Sequence, residues 1–166
     1  MLAAIFTLLV IYQVKHFLAD YPLQRPYMLG KFAPGWEFLG PLTAHAGCHA
    51  LFTFFIAFFW LWRPFTDSPL LLPAGLALFD FVVHFTMDRI KAGPEYLGRF
   101  KALDAKCYAL EAHVAADTVH GYLWDKLRVH ARRAMRNNTY FWWALGLDQM
   151  VHHLTHYAII YILVTR

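Results

Sequence analysis

The sequence predicts an all-α integral membrane protein, a four-helix bundle with a cytoplasmic amphipathic helical insert. Three observations point there. Hydrophobic residues make up 59% of the chain and charged residues 16%, both displaced from the soluble average towards the membrane. Four apolar stretches come close to the ~20 residues that a helix needs to cross a bilayer core. The cationic residues gather on one side once those stretches are threaded through a membrane. At 166 residues the chain reads as one membrane domain.

The first span covers residues 2–20 and stops at Tyr21-Pro22, because the residue before a proline is pushed out of helical geometry. No basic segment precedes Leu2 and no small-residue cleavage site follows, so this stretch reads as a retained helix and not a signal peptide. The second span, 42–62, ends before Arg63-Pro64. The third, 70–90, has Pro73 near its start, where a helix tolerates proline. The fourth, 140–164, opens on "YFWW", an aromatic cluster suited to a membrane–water interface.

Between the third and fourth spans lies the insert, residues 92–138. Leu103, Cys107, Leu110 and Val114 recur there at helical spacing among charges, which predicts one or two amphipathic helices on the membrane surface or capping the bundle. Its "RVHARRAMR" is basic enough to meet anionic headgroups. No aromatic-basic motif of a nucleic-acid reader is present, and no nucleic-acid partner is expected. Cys48 and Cys107 stand far apart and form no disulfide framework.

Four spans put both termini on one side. Lys15, Arg25, Lys31, Arg89, Lys91 and the insert then share the other, and only Arg63 and Arg166 oppose them. The positive-inside rule makes the basic side cytoplasmic and the termini periplasmic, in a bacterial inner membrane.

Each span also carries ionisable residues four apart, which share a helix face. These are His16 and Asp20, His45 and His49, Asp80, His84 and Asp88, and Asp148, His152 and His156. The alternating topology brings all of them to a similar depth, towards the cytoplasmic side. Ionisable groups in a span are costly and need partners. Carboxylates and imidazoles converging from four helices suit one or two divalent ions, with zinc foremost and iron or manganese as alternatives. The expected ligands are His16, Asp20, His45, His49, His84, Asp88, Asp148 and His152. Asp80, the deepest, is either a ligand or an acceptor that orients His84. Asp80 or Asp148 is the expected base, and Lys91, with Arg89, is expected to steady an anionic substrate. His153 and His156 fit one site less easily, and Cys48 reads as packing. In the insert, His113, Asp117 and His120 share a face and could form a further site or an exposed surface. The competing reading of every pair is a hydrogen-bonded polar core.

The order "KHFLADYPLQ", "HAGCH", "HFTMDRIK", "LDQMVHHLTH" resembles a family of short bacterial and phage membrane proteins known as a domain of unknown function. Its pattern is HFxxDxxxQ, a His pair, HxxxDxxK and DQxxH. These motifs correspond to His16, Asp20 and Gln24; His45 and His49; His84, Asp88 and Lys91; and Asp148, Gln149 and His152. The resemblance covers the four spans, while the insert is longer than the family's loop and looks like the phage-borne form. There is a looser likeness to membrane-bound metal-dependent hydrolases.

The leading functional expectation is a metal-dependent hydrolase acting on a lipid or phosphate-containing substrate at the cytoplasmic face. No Ser or Cys nucleophile sits beside a base, so an activated water is the natural attacker. The alternatives are a diiron oxidase or hydroxylase, since "HAGCH" and "HHLTH" resemble histidine boxes, or a non-enzymatic protein that conducts ions or protons or binds a partner around a structural metal. The oligomeric state is not readable from the chain.

Overall fold

The computed structural model describes residues 2–62, 70–93, 95–100 and 139–166, and every element among them is a helix. The four long ones are α1 (Leu2–Asp20), α2 (Leu39–Leu61), α3 (Leu71–Ala92) and α4 (Thr139–Thr165). Short 3-10 helices cover Pro26–Phe32, after α1, and Leu97–Phe100, after α3. The insert expected over 92–138 falls from residue 101 onward outside the described residues, and so do His113, Asp117 and His120.

The ends of the helices follow local chemistry. α2 begins three residues earlier than the sequence suggests. Pro41 lies in its first turn, where the missing N–H forfeits no helical hydrogen bond, so the proline marks a start and not a barrier. Pro73 plays the same part in α3. The Gly93 N–H closes α3 on the Arg89 carbonyl at 2.7 Å, just ahead of Pro94.

Among the described residues three helices, α1, α2 and α3, are long and apolar enough to cross a membrane. The sequence reading expects a fourth span over 140–164. α4 is the longest helix, at 27 residues, but Asp148 and its histidines interrupt its apolar run, and it is not among the three.

The helices reverse the pattern of a water-soluble bundle. The outer face of α1 carries Leu2, Phe6, Val10, Val14 and Phe17, all exposed, while Lys15 and His16 are buried on the opposite face. α2 exposes Leu51, Phe55 and Phe59 and buries His45, His49 and Thr53. α3 exposes Leu78, Phe79 and Val82 and buries Asp80, His84 and Asp88. α4 follows suit, with Leu154, Tyr157 and Tyr161 outside and Asp148, His152 and His156 inside. An apolar exterior of this extent is unfavourable in water and favourable in lipid.

The interior has two layers. At one end Leu8, Tyr12, Ala57, Leu76, Ile159, Ile160 and Leu163 form an apolar core fed by all four long helices. At the other end lies the polar layer. From Asp80 to Asp88 it runs along about 12 Å of helix rise. The 3-10 helix at Pro26–Phe32 packs on the start of α2 through close backbone approaches. A Cβ on Gly30 would lie 2.8 Å from Pro41 Cγ, and one on Gly40 would lie 2.5 Å from the Tyr27 hydroxyl. Arg89 holds the following loop, stacking 3.6 Å from the Phe38 ring centre and donating to the Ala33 carbonyl at 3.2 Å.

Candidate metal centre

Helical spacing alone sets which side chains enter the polar layer. His45, His49 and Thr53 step along α2 four residues apart, and Asp80, His84 and Asp88 do the same on α3. Asp148, His152 and His156 repeat the pattern on α4, facing His16 and Asp20 of α1. All eight expected ligands meet in this layer. All are buried except Asp20, whose side chain is 21% exposed at the mouth.

Asp20 is ringed by imidazoles. Its Oδ1 accepts from His49 Nε2 at 3.1 Å and lies 3.4 Å from His45 Nε2, and its Oδ2 lies 3.1 Å from His16 Nε2. His45 Nε2 also reaches Asp88 Oδ2 at 2.9 Å, linking two acids on different helices. The rings of His49, His84 and His152 stack in sequence, with centres 3.9 Å and 4.0 Å apart.

Asp80 lies deepest and is fully buried. Its Oδ2 accepts from Lys15 Nζ at 2.7 Å and from Thr53 Oγ1 at 2.6 Å. Its Oδ1 and its own carbonyl lie 3.0 Å and 3.1 Å from His84 Nδ1. Both neighbours of that nitrogen are acceptors, so Nδ1 carries the hydrogen. His84 Nε2 is therefore left with a bare lone pair, buried and without a hydrogen-bond partner. The hydrogen bond goes to the Asp80 carbonyl with Oδ1 alongside, and an acceptor that fixes the tautomer of a histidine from behind is the arrangement found at metal-binding imidazoles.

Asp88 accepts from Lys31 Nζ at 3.0 Å and from Lys91 Nζ at 3.1 Å. Asp148 accepts from Lys91 Nζ at 2.7 Å and Gln149 Nε2 at 3.0 Å, and lies 3.2 Å from His152 Nε2. Gln149 Oε1 reaches back to His16 Nε2 at 3.3 Å, and Gln24 Oε1 accepts from Lys31 at 3.1 Å. The His, Asp, Gln and Lys residues of the four sequence motifs thus belong to one polar network, except His84, which bonds to Asp80 and meets the others by ring stacking on His49 and His152.

The sequence reading missed the buried lysines. It treats Lys15 as a charge that sets membrane orientation and Lys31 as that or as part of a cationic rim beside the site, yet both are almost completely buried, at 2% and 3% exposure. Helical phase was the available signal for Lys15, which shares a face with Leu8, Tyr12 and Ala19. His156, doubted beforehand, is buried beside Lys15, whose Nζ donates to its Nε2 at 3.3 Å. His153 points outward and accepts from Gln13 Nε2 at 3.2 Å. Arg89 is committed to Phe38 and Ala33 and takes no part in the cluster. Asp80 and Asp148, the expected bases, are both held by ammonium groups. Cys48 is half-buried and belongs to none of the candidate ligand groups.

Charge bookkeeping separates the four acids of the layer. Asp80, Asp88 and Asp148 each pair with lysine, while Asp20 has only imidazole neighbours among the described residues. With imidazoles neutral, four carboxylates against three ammonium groups leave one negative charge unbalanced. The buried nitrogens His16 Nδ1, His45 Nδ1, His49 Nδ1 and His84 Nε2 all lack hydrogen-bond partners. So many orphaned polar atoms in one layer imply a missing partner. These buried His and Asp groups could hold a metal ion. The sets His16–His49–His84, Asp20–His45–His49, Asp80–His84–His156 and Asp88–Asp148–His152 each bring donor atoms within 4.8 Å of one another.

Comparison with protein-family models, with curated proteins and with solved structures gives no match.

Proposed function

We propose that this chain is an integral membrane protein whose four long helices form a bundle around one divalent metal, and that it is a metal-dependent hydrolase of a lipid or other phosphate-containing substrate. The observation that carries the metal reading is the bare, buried Nε2 of His84, held in that tautomer by Asp80. His16, His49 and His84 are the ligands, three imidazoles with a position left open, as in catalytic zinc sites. Zinc suits this set best, and iron or manganese would also accept it. The motif resemblance to short bacterial and phage membrane proteins accords with the membrane part of this reading and implies no reaction. The basic side is cytoplasmic and the termini are periplasmic, in a bacterial inner membrane.

A divalent ion there supplies Lewis acidity and an activated water near neutral pH. The chain's own groups do the rest. Asp80 keeps the His84 lone pair directed at the ion. Asp20, the one acid free of lysine and partly exposed, balances the ion's charge and accepts the water's proton on its carboxylate. It replaces Asp80 and Asp148 as the base, since both are neutralised by ammonium. Exposed Arg25, on the loop leaving Asp20, supplies positive potential for an anionic headgroup.

The test is metal content of the full chain purified in detergent, with phosphate release from phosphatidic acid in mixed micelles. The wild type should hold one zinc, manganese or iron ion per chain and lose activity when it is chelated. His49→Ala and His84→Ala should lose the ion, and Asp20→Asn should lose turnover. A wild type with no bound metal after equilibration with each ion overturns the proposal. Bound iron with an oxygen-sensitive spectrum and no phosphate release would favour the diiron oxidase.

A further inference from the structure

We propose that the Lys91 ammonium occupies the place of a second metal ion, so that the chain binds a second divalent cation only when that side chain is removed. Asp88, Asp148 and His152 bring their donor atoms within 4.8 Å of one another, and all three are buried. Two carboxylates and an imidazole are a ligand set for zinc, manganese or iron. Lys91 Nζ bridges the two carboxylates, 2.7 Å from Asp148 Oδ2 and 3.1 Å from Asp88 Oδ1. His152 Nε2 lies 4.0 Å from the same Asp88 oxygen. Asp148 Oδ1 and His152 Nδ1 are buried without a hydrogen-bond partner, so the ammonium does not satisfy the whole set.

The two lysines at this end differ in kind. Lys31 binds the other oxygen of Asp88, from behind, and is held there by Gln24. Lys91 comes in from the rim, its side chain 21% exposed, and its charge lies between the two carboxylates that His152 also approaches. An ammonium carries one positive charge and directional hydrogens, so it balances the acids without offering an open coordination position. A chain built this way keeps its metal chemistry at the tri-imidazole position alone. The inference deepens the metal-binding proposal, and its test separates the two.

The experiment measures metal per chain after equilibration with zinc, and separately with manganese, followed by desalting. Lys91→Ala should hold one ion more than the wild type. Lys91→Arg, which keeps the cation, should hold no more than the wild type. Adding Asp148→Asn to Lys91→Ala should abolish the gain. The difference between variant and wild type reads this inference, whereas the absolute wild-type number reads the tri-imidazole site. If Lys91→Ala folds only when zinc is present during purification, that also supports a metal in the ammonium's place. Equal metal content in folded Lys91→Ala and wild type overturns the inference, as does a wild type that already holds two ions. Failure of both Lys91→Ala and Lys91→Ser to fold even with zinc supplied overturns it too.

Discussion

Replacing Lys15 by methionine removes a cation from the deepest part of the polar layer. The Lys15–Asp80 contact is 2.7 Å long and both side chains are essentially inaccessible, at 1% and 0% exposure. Methionine fills most of the stem's volume, so packing changes little and the principal loss is electrostatic. Removing one partner of a buried ion pair costs about 3–5 kcal/mol, because the other charge stays buried and uncompensated. Asp80 retains Thr53 Oγ1 at 2.6 Å and His84 Nδ1 at 3.0 Å, which puts the loss near the lower bound. A loss of about 3 kcal/mol corresponds to roughly a 150-fold change in the folding equilibrium. The assay is reversible unfolding in mixed micelles for wild type, Lys15→Met, Asp80→Asn and the double variant. Each single change should cost about 3 kcal/mol, and the double should recover most of it, since a neutral pair leaves no buried charge. A Lys15→Met loss below about 0.5 kcal/mol, or a double variant that loses the sum of the singles, would refute the view that these charges compensate each other.

Three further outcomes are expected. Asp80→Asn should weaken metal binding by about 10-fold, the low end for loss of a group behind a ligand, because the Asp80 carbonyl still accepts from His84 Nδ1, measurable by competition with a chromophoric chelator. Gly30→Val should destabilise the fold by about 1–3 kcal/mol, since its Cβ would lie 2.8 Å from Pro41 Cγ, and thermal unfolding reads this directly. His153→Ala should leave metal content unchanged, because that ring faces outward to Gln13, and loss of the ion would enlarge the ligand set.

Much of the site was legible before the fold because intrahelical spacing survives folding unchanged. His16 with Asp20, and Asp80 with His84 and Asp88, must share a face on any α-helix, and alternating topology brings such faces to one level. What the spacing could not convey was which charges turn inward. Lys15 sits near a helix end, where a cation commonly reaches water, and only its phase with Tyr12 and Ala19 betrays its burial. Lys31 is brought to Asp88 by a 3-10 helix seated on α2 through Gly30 and Gly40, a tertiary contact with no periodic signature. The lysine partners of the expected bases were hidden for the same reason. Asp80 and Asp148 look like free acids until their lysines are seen, and Asp20 then becomes the one without an ammonium. The early start of α2 was hidden by Pro41, which reads as a breaker unless its place in the first turn is known.

The oily plug built from Leu8, Ala57, Leu76, Ile159, Ile160 and Leu163 closes one end of the polar layer, and the partly exposed side chains of Asp20 and Lys91 mark the other end as the open one among the described residues. In the proposed membrane setting, ions and water would enter from that open end. In sealed vesicles a membrane-impermeant chelator would strip only those molecules whose mouths face it, and a pH jump would register on one leaflet alone.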